Sequence, residues 1–249
     1  MQIPEDHPRH KSLMTRERLS ELVEKGVVTP TGMISHGRGE AFDYLMGEKT
    51  LPSSLKAERA AAAYLLMAKN PVVCVNGNAA ALDPKGLIEV AKAANAKIEV
   101  NIFHRTEERM ERLISYMEEN GATNVLGRNP DAKIPGITSD RALCTKEGIF
   151  DSDVILVPIE DGDRAQALAA MNKIVIAIDL NPLSRTSKAA SVSISDEMSR
   201  ALDNIKEALK MTKEEALKII SSFDNSVNRR ELVDEMCAYL QSNFNEVDE

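Results

Sequence analysis

From Asn70 to Asp196 short runs of β-branched residues alternate with longer stretches patterned as helices. The runs at 72–75, 97–103, 154–158, 173–178 and 191–194 are nearly continuous in Val and Ile. That texture belongs to strands covered on both faces, because a strand with one wet face alternates apolar and polar residues. Between them, 85–95, 105–120 and 164–171 read as amphipathic helices. In the second, Met110, Leu113, Ile114 and Met117 recur at i, i+3, i+4 and i+7, and Gly121 stands where a helix commonly ends. Strands separated by crossover helices imply a parallel sheet with right-handed connections, so the expected class is α/β, a parallel sheet flanked by helices.

Further helices are expected at 15–25, 40–46 and 54–69 before the sheet, and at 198–210, 212–222 and 229–242 after it. In the last of these Leu232, Val233, Met236, Tyr239 and Leu240 line one face, read first as core and second as a subunit interface. No internal repeat and no low-complexity linker divides the chain. Its 249 residues are therefore read as one α/β domain spanning 1–249: a helical part at about 1–69, a sheet core at about 70–196 and terminal helices at about 197–249.

Composition narrows the function classes. Hydrophobic residues make up 43% and charged residues 28%, as in an ordinary globular protein. Thirty-one basic against 39 acidic residues leave a net charge of −8, which disfavours nucleic acid and membrane surfaces as partners. No apolar stretch approaches the ~18 residues of a membrane span, and the basic-then-apolar start of an export signal is missing, so a cytoplasmic protein is expected. Cys74, Cys144 and Cys237 are odd in number and far apart, which fits neither a disulfide framework nor a structural zinc site. Charge is uneven: the first eighteen residues hold Arg9, Lys11, Arg16 and Arg18, whereas after Arg230 every charged residue is acidic, ending in Glu246, Asp248 and Glu249.

Four segments carry more polar chemistry than packing needs. In His36-Gly37-Arg38-Gly39-Glu40, small neighbours let a ligand approach a guanidinium that can grip phosphate or carboxylate in bidentate fashion; a tight turn before a helix starting at Glu40 is the structural expectation. Asn76-Gly77-Asn78 follows the first strand, at the strand end where parallel sheets bind ligands, and is expected as a left-handed turn. Glu160-Asp161-Gly162-Asp163-Arg164 follows the 154–158 strand; Asp161 or Asp163 is expected to cap the next helix, with the other carboxylates available to Mg²⁺. Asp179-Leu180-Asn181-Pro182-Leu183-Ser184-Arg185-Thr186 follows the next strand, its Asp suited to ribose hydroxyls and its Asn, Arg and Thr to base or phosphate. Four polar loops at strand ends point to one shared site. GxGxxG, GxxxxGK[ST], HExxH and GxSxG are all missing, which removes the main signatures of dinucleotide dehydrogenases, P-loop enzymes, zinc hydrolases and α/β-hydrolases.

Together with His7-Pro8-Arg9 and Arg16-Glu17, the strings HGRGEAFDYL at 36–45, VNGNAAAL at 75–82, the 101–107 stretch, PIEDGDR at 158–164 and IDLNPLSR at 178–185 resemble the archaeal phosphopantothenate synthetase (4-phosphopantoate–β-alanine ligase) family. The resemblance covers nearly the whole chain and weakens after about Asp196. It implies a Rossmann-like core, a homodimer, and an enzyme of coenzyme A biosynthesis that makes 4′-phosphopantothenate with ATP and Mg²⁺, releasing AMP and pyrophosphate through an acyl-adenylate. Its ATP contacts fall on Arg16, Arg38, Asp179, Leu180, Asn181, Arg185, Thr186, Glu197 and Met198. Asn76, Gly77, Asn78 and Arg105 are expected at the phosphopantoate end, and His36 as the base that takes a proton from β-alanine. Arg9, Arg59, Arg105 and Lys11 form a surplus of cations beyond what a triphosphate needs. Strand-end loops alone equally admit a Rossmann-like nucleotide- or sugar-phosphate-binding protein without ligase activity, and the C-terminal stripe admits a helical adaptor.

Overall fold

The computed structural model of the chain describes residues 4–7 and 9–245. The acidic end at Glu246, Asp248 and Glu249, and Pro8 of the N-terminal motif, lie outside the described residues. Three helices come first, α1 (His10–Glu24), α2 (Pro30–Leu45) and α3 (Pro52–Met67). Then follow β1 (Pro71–Val75), α4 (Gly77–Leu82), α5 (Pro84–Ala93), β2 (Lys97–Val100) and α6 (Glu107–Glu119). A small antiparallel pair, β3 (Ala132–Lys133) and β4 (Leu143–Cys144), precedes β5 (Val154–Pro158), α7 (Gly162–Ala170) and β6 (Ile174–Ile178). The chain continues through α8 (Arg185–Ala189), β7 (Val192–Ile194), α9 (Met198–Ala208), α10 (Lys213–Ser222) and α11 (Asn225–Asn245).

Five strands pair in the order β2-β1-β5-β6-β7, all parallel. The continuous Val/Ile runs are explained by what covers them. Val73, Val75, Leu156, Ile176 and Ile178 point into one apolar cluster with α1, α3, α5, α6 and α9. Val72, Cys74, Ile155, Val157, Val175 and Ala177 point into a second cluster with the β3–β4 pair and α7. Both faces are buried, as a parallel sheet requires.

Three expectations are corrected. The 97–103 strand stops at Val100, because Asn101 turns its side-chain amide to the carbonyls of Leu143 (2.8 Å) and Arg141 (3.3 Å). The helix expected to start at Glu40 begins ten residues earlier: the Thr29 hydroxyl accepts from Gly32 N (3.1 Å) and Pro30 occupies the first turn, so the Gly-Arg-Gly string lies inside a helix and not in a turn. Glycine weakens a helix interior by about 1 kcal/mol but does not break it. The C-terminal stripe is split: Leu232 and Met236 are buried against Met46 and Leu51, while Leu240 is exposed. Cys74 and Cys144 are buried, Cys237 is exposed, and all three are free. Among the described residues no helix is long and apolar enough to cross a membrane.

Candidate functional site

Chain order reverses across the β1–β5 seam, the place where open parallel sheets usually leave a ligand crevice. Here side chains fill it. Asn76 caps α4 by accepting from Ala79 N (3.0 Å), and its amide donates across the seam to the carbonyls of Pro158 (2.9 Å) and Ile159 (3.1 Å). Gly77 is not left-handed as expected; a Cβ there would sit 2.5 Å from the Val27 carbonyl oxygen, so glycine lets the α1–α2 connection pack against α4. Asn78 donates to the Gly32 carbonyl (2.9 Å) and anchors α2. Arg105 folds back on the carbonyls of Gly127 and Arg128. The four residues expected at the phosphopantoate end therefore have their side chains or backbone committed to the scaffold, and none lines the cavity described next.

A cavity of about 660 Å³ opens one strand over, between the ends of β5, β6 and β7 and the helices α1 and α2. From α2 come His36, Arg38, Gly39, Glu40 and Asp43, spaced so that one helical face looks into it. The β5 end supplies Glu160 and Asp161; the β6 end supplies Asp179, Leu180, Asn181, Arg185 and Thr186; the β7 end supplies Asp196, Glu197, Met198 and Arg200. Arg9 and Lys11 close the α1 side. Of the expected ATP contacts, Arg16 alone stands behind the wall, its guanidinium forked onto the Glu40 carboxylate at 2.9–3.1 Å. Gly39 matters for width: a Cβ would meet Leu180 Cδ1 at 3.3 Å across the opening. Arg59 and Arg105, counted among the surplus cations, do not reach the cavity; Arg9 and Lys11 do.

The β6–α8 loop is rigid by its own bonds. Asp179 accepts from Asn181 N (3.0 Å) and the Ser184 hydroxyl, so its oxygens already brace the turn expected to meet a ribose. Asn181 accepts from Leu183 N (2.9 Å), and Thr186 donates its hydroxyl to the Glu160 carbonyl (2.7 Å), tying the β5 and β6 loops together. Arg185 is exposed and pairs with Asp163 and Gln166. Asp161 takes the N-cap position of α7 without making the expected side-chain cap, and Asp163 serves Arg185 instead.

Arg38 is exposed on the wall and meets only the Ser35 hydroxyl (3.3 Å) among the described residues, which leaves most of its donors for a ligand. His36 Nε2 is buried with no partner, and burial holds the imidazole below its ordinary pKa; Glu40 and Glu197 pull it up by less, and Arg16 pushes it down. It is therefore mainly neutral at pH 7, a proton acceptor facing the cavity. Burial alone would push Glu197 up, but bonds from the Ser199 hydroxyl, the N–H groups of Ser199 and Arg200, and the charge of Lys11 outweigh it and keep the carboxyl below its usual range.

Two features escaped the sequence. Behind the β5 loop, Glu160 is buried between two buried arginines, Arg141 and Arg164, accepting from both and from Asp161 N (2.8 Å). Burial first, and the charge of Arg164 second, lower Arg141 to about 10. At the β7 end, Arg200 is clamped by Asp43 and, one turn back, by Asp196. The spacing of four at a helix start, in Asp196–Arg200 and in Glu160–Arg164, was the readable hint.

Mg²⁺ arriving with phosphates keeps its waters and needs one or two carboxylates, not a cage. Among the described residues no group of three or more His, Cys, Asp or Glu could enclose a metal. Asp161 fits the lesser demand, since it lines the cavity and caps no N–H; Glu160 does not, both its oxygens being taken by arginines.

Residues 53–239 match the profile of the phosphopantothenate/pantothenate synthetase family. A 4-phosphopantoate–β-alanine ligase of Methanosarcina mazei is 48% identical over 244 residues, 96% of each chain. Proteins of the same name are 54% identical over 203 residues in Methanospirillum hungatei JF-1 (82% of this chain, 83% of the other) and 47% identical over 228 residues in Thermococcus kodakarensis (90% and 87%).

Proposed function

The chain belongs to the phosphopantothenate/pantothenate synthetase family and is an enzyme, and from that premise we propose that it condenses 4-phosphopantoate with β-alanine to 4′-phosphopantothenate for coenzyme A synthesis, using ATP. One observation carries the proposal: a single cavity gathers eight of the nine expected ATP contacts around an arginine, Arg38, with donors to spare.

A carboxylate oxygen of 4-phosphopantoate attacks the α-phosphorus of ATP, the bond to the bridging oxygen breaks, and pyrophosphate leaves. The amine of β-alanine then attacks the acyl carbon and AMP departs with the electrons of the broken C–O bond. Little covalent work falls to the protein; positioning and charge do most of it. Arg38 offers its guanidinium to the phosphates directly. Arg185 and Arg16 reach them by exchanging Asp163 and Glu40 for phosphate oxygens, which a planar fork holds in the same bidentate way. Arg9, whose Nε is buried without a partner, and Lys11 take the phosphate of 4-phosphopantoate in place of the committed Asn76, Asn78 and Arg105. His36, neutral and unpartnered at Nε2, accepts the proton that β-alanine must lose before it attacks. Asp161 would hold the Mg²⁺ that accompanies ATP, which would offset phosphate charge there.

We also read the active species as a cytoplasmic homodimer, with the exposed Leu45 of α2 and Leu240 of α11 in favour of assembly. Product analysis tests the route: during turnover AMP and pyrophosphate should appear in equal amounts, with AMP formed only when both the acid and β-alanine are present and pyrophosphate limited to about one equivalent of enzyme with the acid alone. ADP and phosphate instead would replace the acyl-adenylate by an acyl phosphate.

A further inference from the structure

Behind the β7 end of the cavity, at the seam of α3 and α9, lies a carboxyl group that the proposed reaction does not use. Glu58 on α3 is fully buried. Its Oε2 accepts from Asn204 Nδ2 (2.8 Å), and its Oε1 is buried with no donor to meet it. Asn204 Nδ2 also meets the Thr50 hydroxyl (3.3 Å), which donates to the carboxyl of Asp196, so this shared bridge brings the two buried carboxyls side by side. Asp196 is already the acceptor for the Thr50 hydroxyl, for Arg200 Nε (2.9 Å) and Nη2, and for Glu197 N (2.7 Å). Two ionised carboxylates are acceptors only and repel; in contact, one must carry a proton. The surroundings say which: Asp196 is the one paired with a guanidinium and met by three kinds of donor, while Glu58 has an oxygen waiting to become a donor.

We propose that Glu58 and Asp196 form a buried carboxylic acid–carboxylate pair, with the proton on Glu58 and shared toward Asp196, and that Glu58 is thereby a positioning residue for Arg200 on the cavity wall. The second half of this statement rests on the cavity being the nucleotide and acid site; the first half does not.

The consequence is that Glu58 adds no further negative charge to a cluster already rich in carboxylates. Arg200 faces Asp43 and Asp196 directly, with Glu197 alongside. A further ionised carboxyl at Glu58 would push Asp196 out of its bond to Arg200 and loosen the wall that Arg200 and Asp196 build. Burial, followed by the charge of Asp196, raises the Glu58 carboxyl to about 9, with the Asn204 bond and Arg200 opposing. The other elements packed on α3 add no cation at Glu58. Glu231 and Glu235 of α11 are spent on Lys56 and Ser53, and Glu215 of α10 sits by Arg59. A carboxyl raised in the folded state stabilises the fold as the acid, and that support is lost as pH rises through about 9.

Two readouts test the pair. In native protein carrying ¹³C at the glutamate side-chain carboxyls, one glutamate signal should still be in its protonated position at pH 7.5, should titrate between pH 8 and 10, and should vanish in Glu58→Gln. Glu99, also buried and raised, accepts three hydrogen bonds from Thr145 and Ile149 and is expected to ionise earlier. If Glu58→Gln fails to fold, the native titration decides: all glutamates ionised at pH 7.5 overturns the pair. For positioning, the affinity for Mg²⁺–ATP is measured at pH 7.5 and 9.5, where the nucleotide's own charge no longer changes. Native affinity should fall by about fivefold or more between the two, and that of Glu58→Gln by less than about twofold, each protein against its own value at pH 7.5. Equal falls in both proteins would leave Glu58 structural and overturn its link to Arg200. A protonated glutamate with no nucleotide binding at any pH would keep the pair and overturn the reading of the cavity.

Discussion

Replacing Arg38 by alanine separates the catalytic cavity from the scaffold beneath it. In the fold Arg38 contributes one long hydrogen bond, 3.3 Å to the Ser35 hydroxyl, from an exposed position on α2. Alanine is at least as good a helix former as arginine, and Arg38 forms no ion pair among the described residues, so stability should move by no more than about 0.5 kcal/mol. The ligand side is different. A bidentate, charge-assisted bond to phosphate contributes about 2–3 kcal/mol, which is roughly a 30- to 150-fold loss of kcat/KM for ATP. The two quantities are read separately, as initial rates at saturating acid and β-alanine and as the urea unfolding midpoint. Arg38→Lys should recover only part of the rate, because an ammonium keeps the charge and loses the fork. A fall in stability above about 1 kcal/mol, with unchanged rate per folded molecule, would assign Arg38 to the scaffold and refute the reasoning.

Glu160→Gln should cost about 3–5 kcal/mol of stability, because Arg141 and Arg164 stay buried without their counter-charge; a change below about 1 kcal/mol in urea unfolding would contradict that. His36 is held below its ordinary pKa, so below pH 6.5 the unfolded chain gains this proton before the folded one does. Stability and rate should both fall as pH drops from 7 to 5.5, and His36→Gln should flatten the stability slope and slow amide formation more than pyrophosphate release; an unchanged slope would remove the burial argument. Light scattering at micromolar concentration should report a dimer, since α2 and α11 leave Leu45 and Leu240 each 42% exposed; a monomer would count against the assembly.

What could be read in advance follows from how local each signal is. The five strands announce themselves because both sheet faces are buried, and residues such as Val73 and Val75 need no distant partner to look like a strand. The Gly-Arg-Gly string misleads because its helix starts at Thr29 and Pro30, outside the motif that draws attention. Asn76, Gly77 and Asn78 have the composition of a ligand loop, yet their partners Pro158, Ile159, Val27 and Gly32 are far away in the chain, and only tertiary contact reveals that they fill the crevice. Arg141 is invisible for the same reason: nothing near it in the chain foretells burial against Glu160. The cavity residues at 178–186 are legible because a strand end places them and a helix start orients them without long-range help, whereas Glu197 and Met198 come from the resemblance alone.

The central claim is that the cavity joins a phosphorylated acid to ATP, and ATP–pyrophosphate exchange tests it most directly. Purified protein with ATP, Mg²⁺ and labelled pyrophosphate is given 4-phosphopantoate in one arm and pantoate in the other. Without the acid's phosphate Lys11 keeps only Glu197 (3.6 Å), and Arg9 keeps a buried Nε with no partner beside the bound nucleotide, so the penalty at Arg9 adds to the lost contact. Exchange should therefore be at least about a hundredfold faster with 4-phosphopantoate than with pantoate. Equal exchange with both acids, or none with either while ATP still binds, would contradict the account.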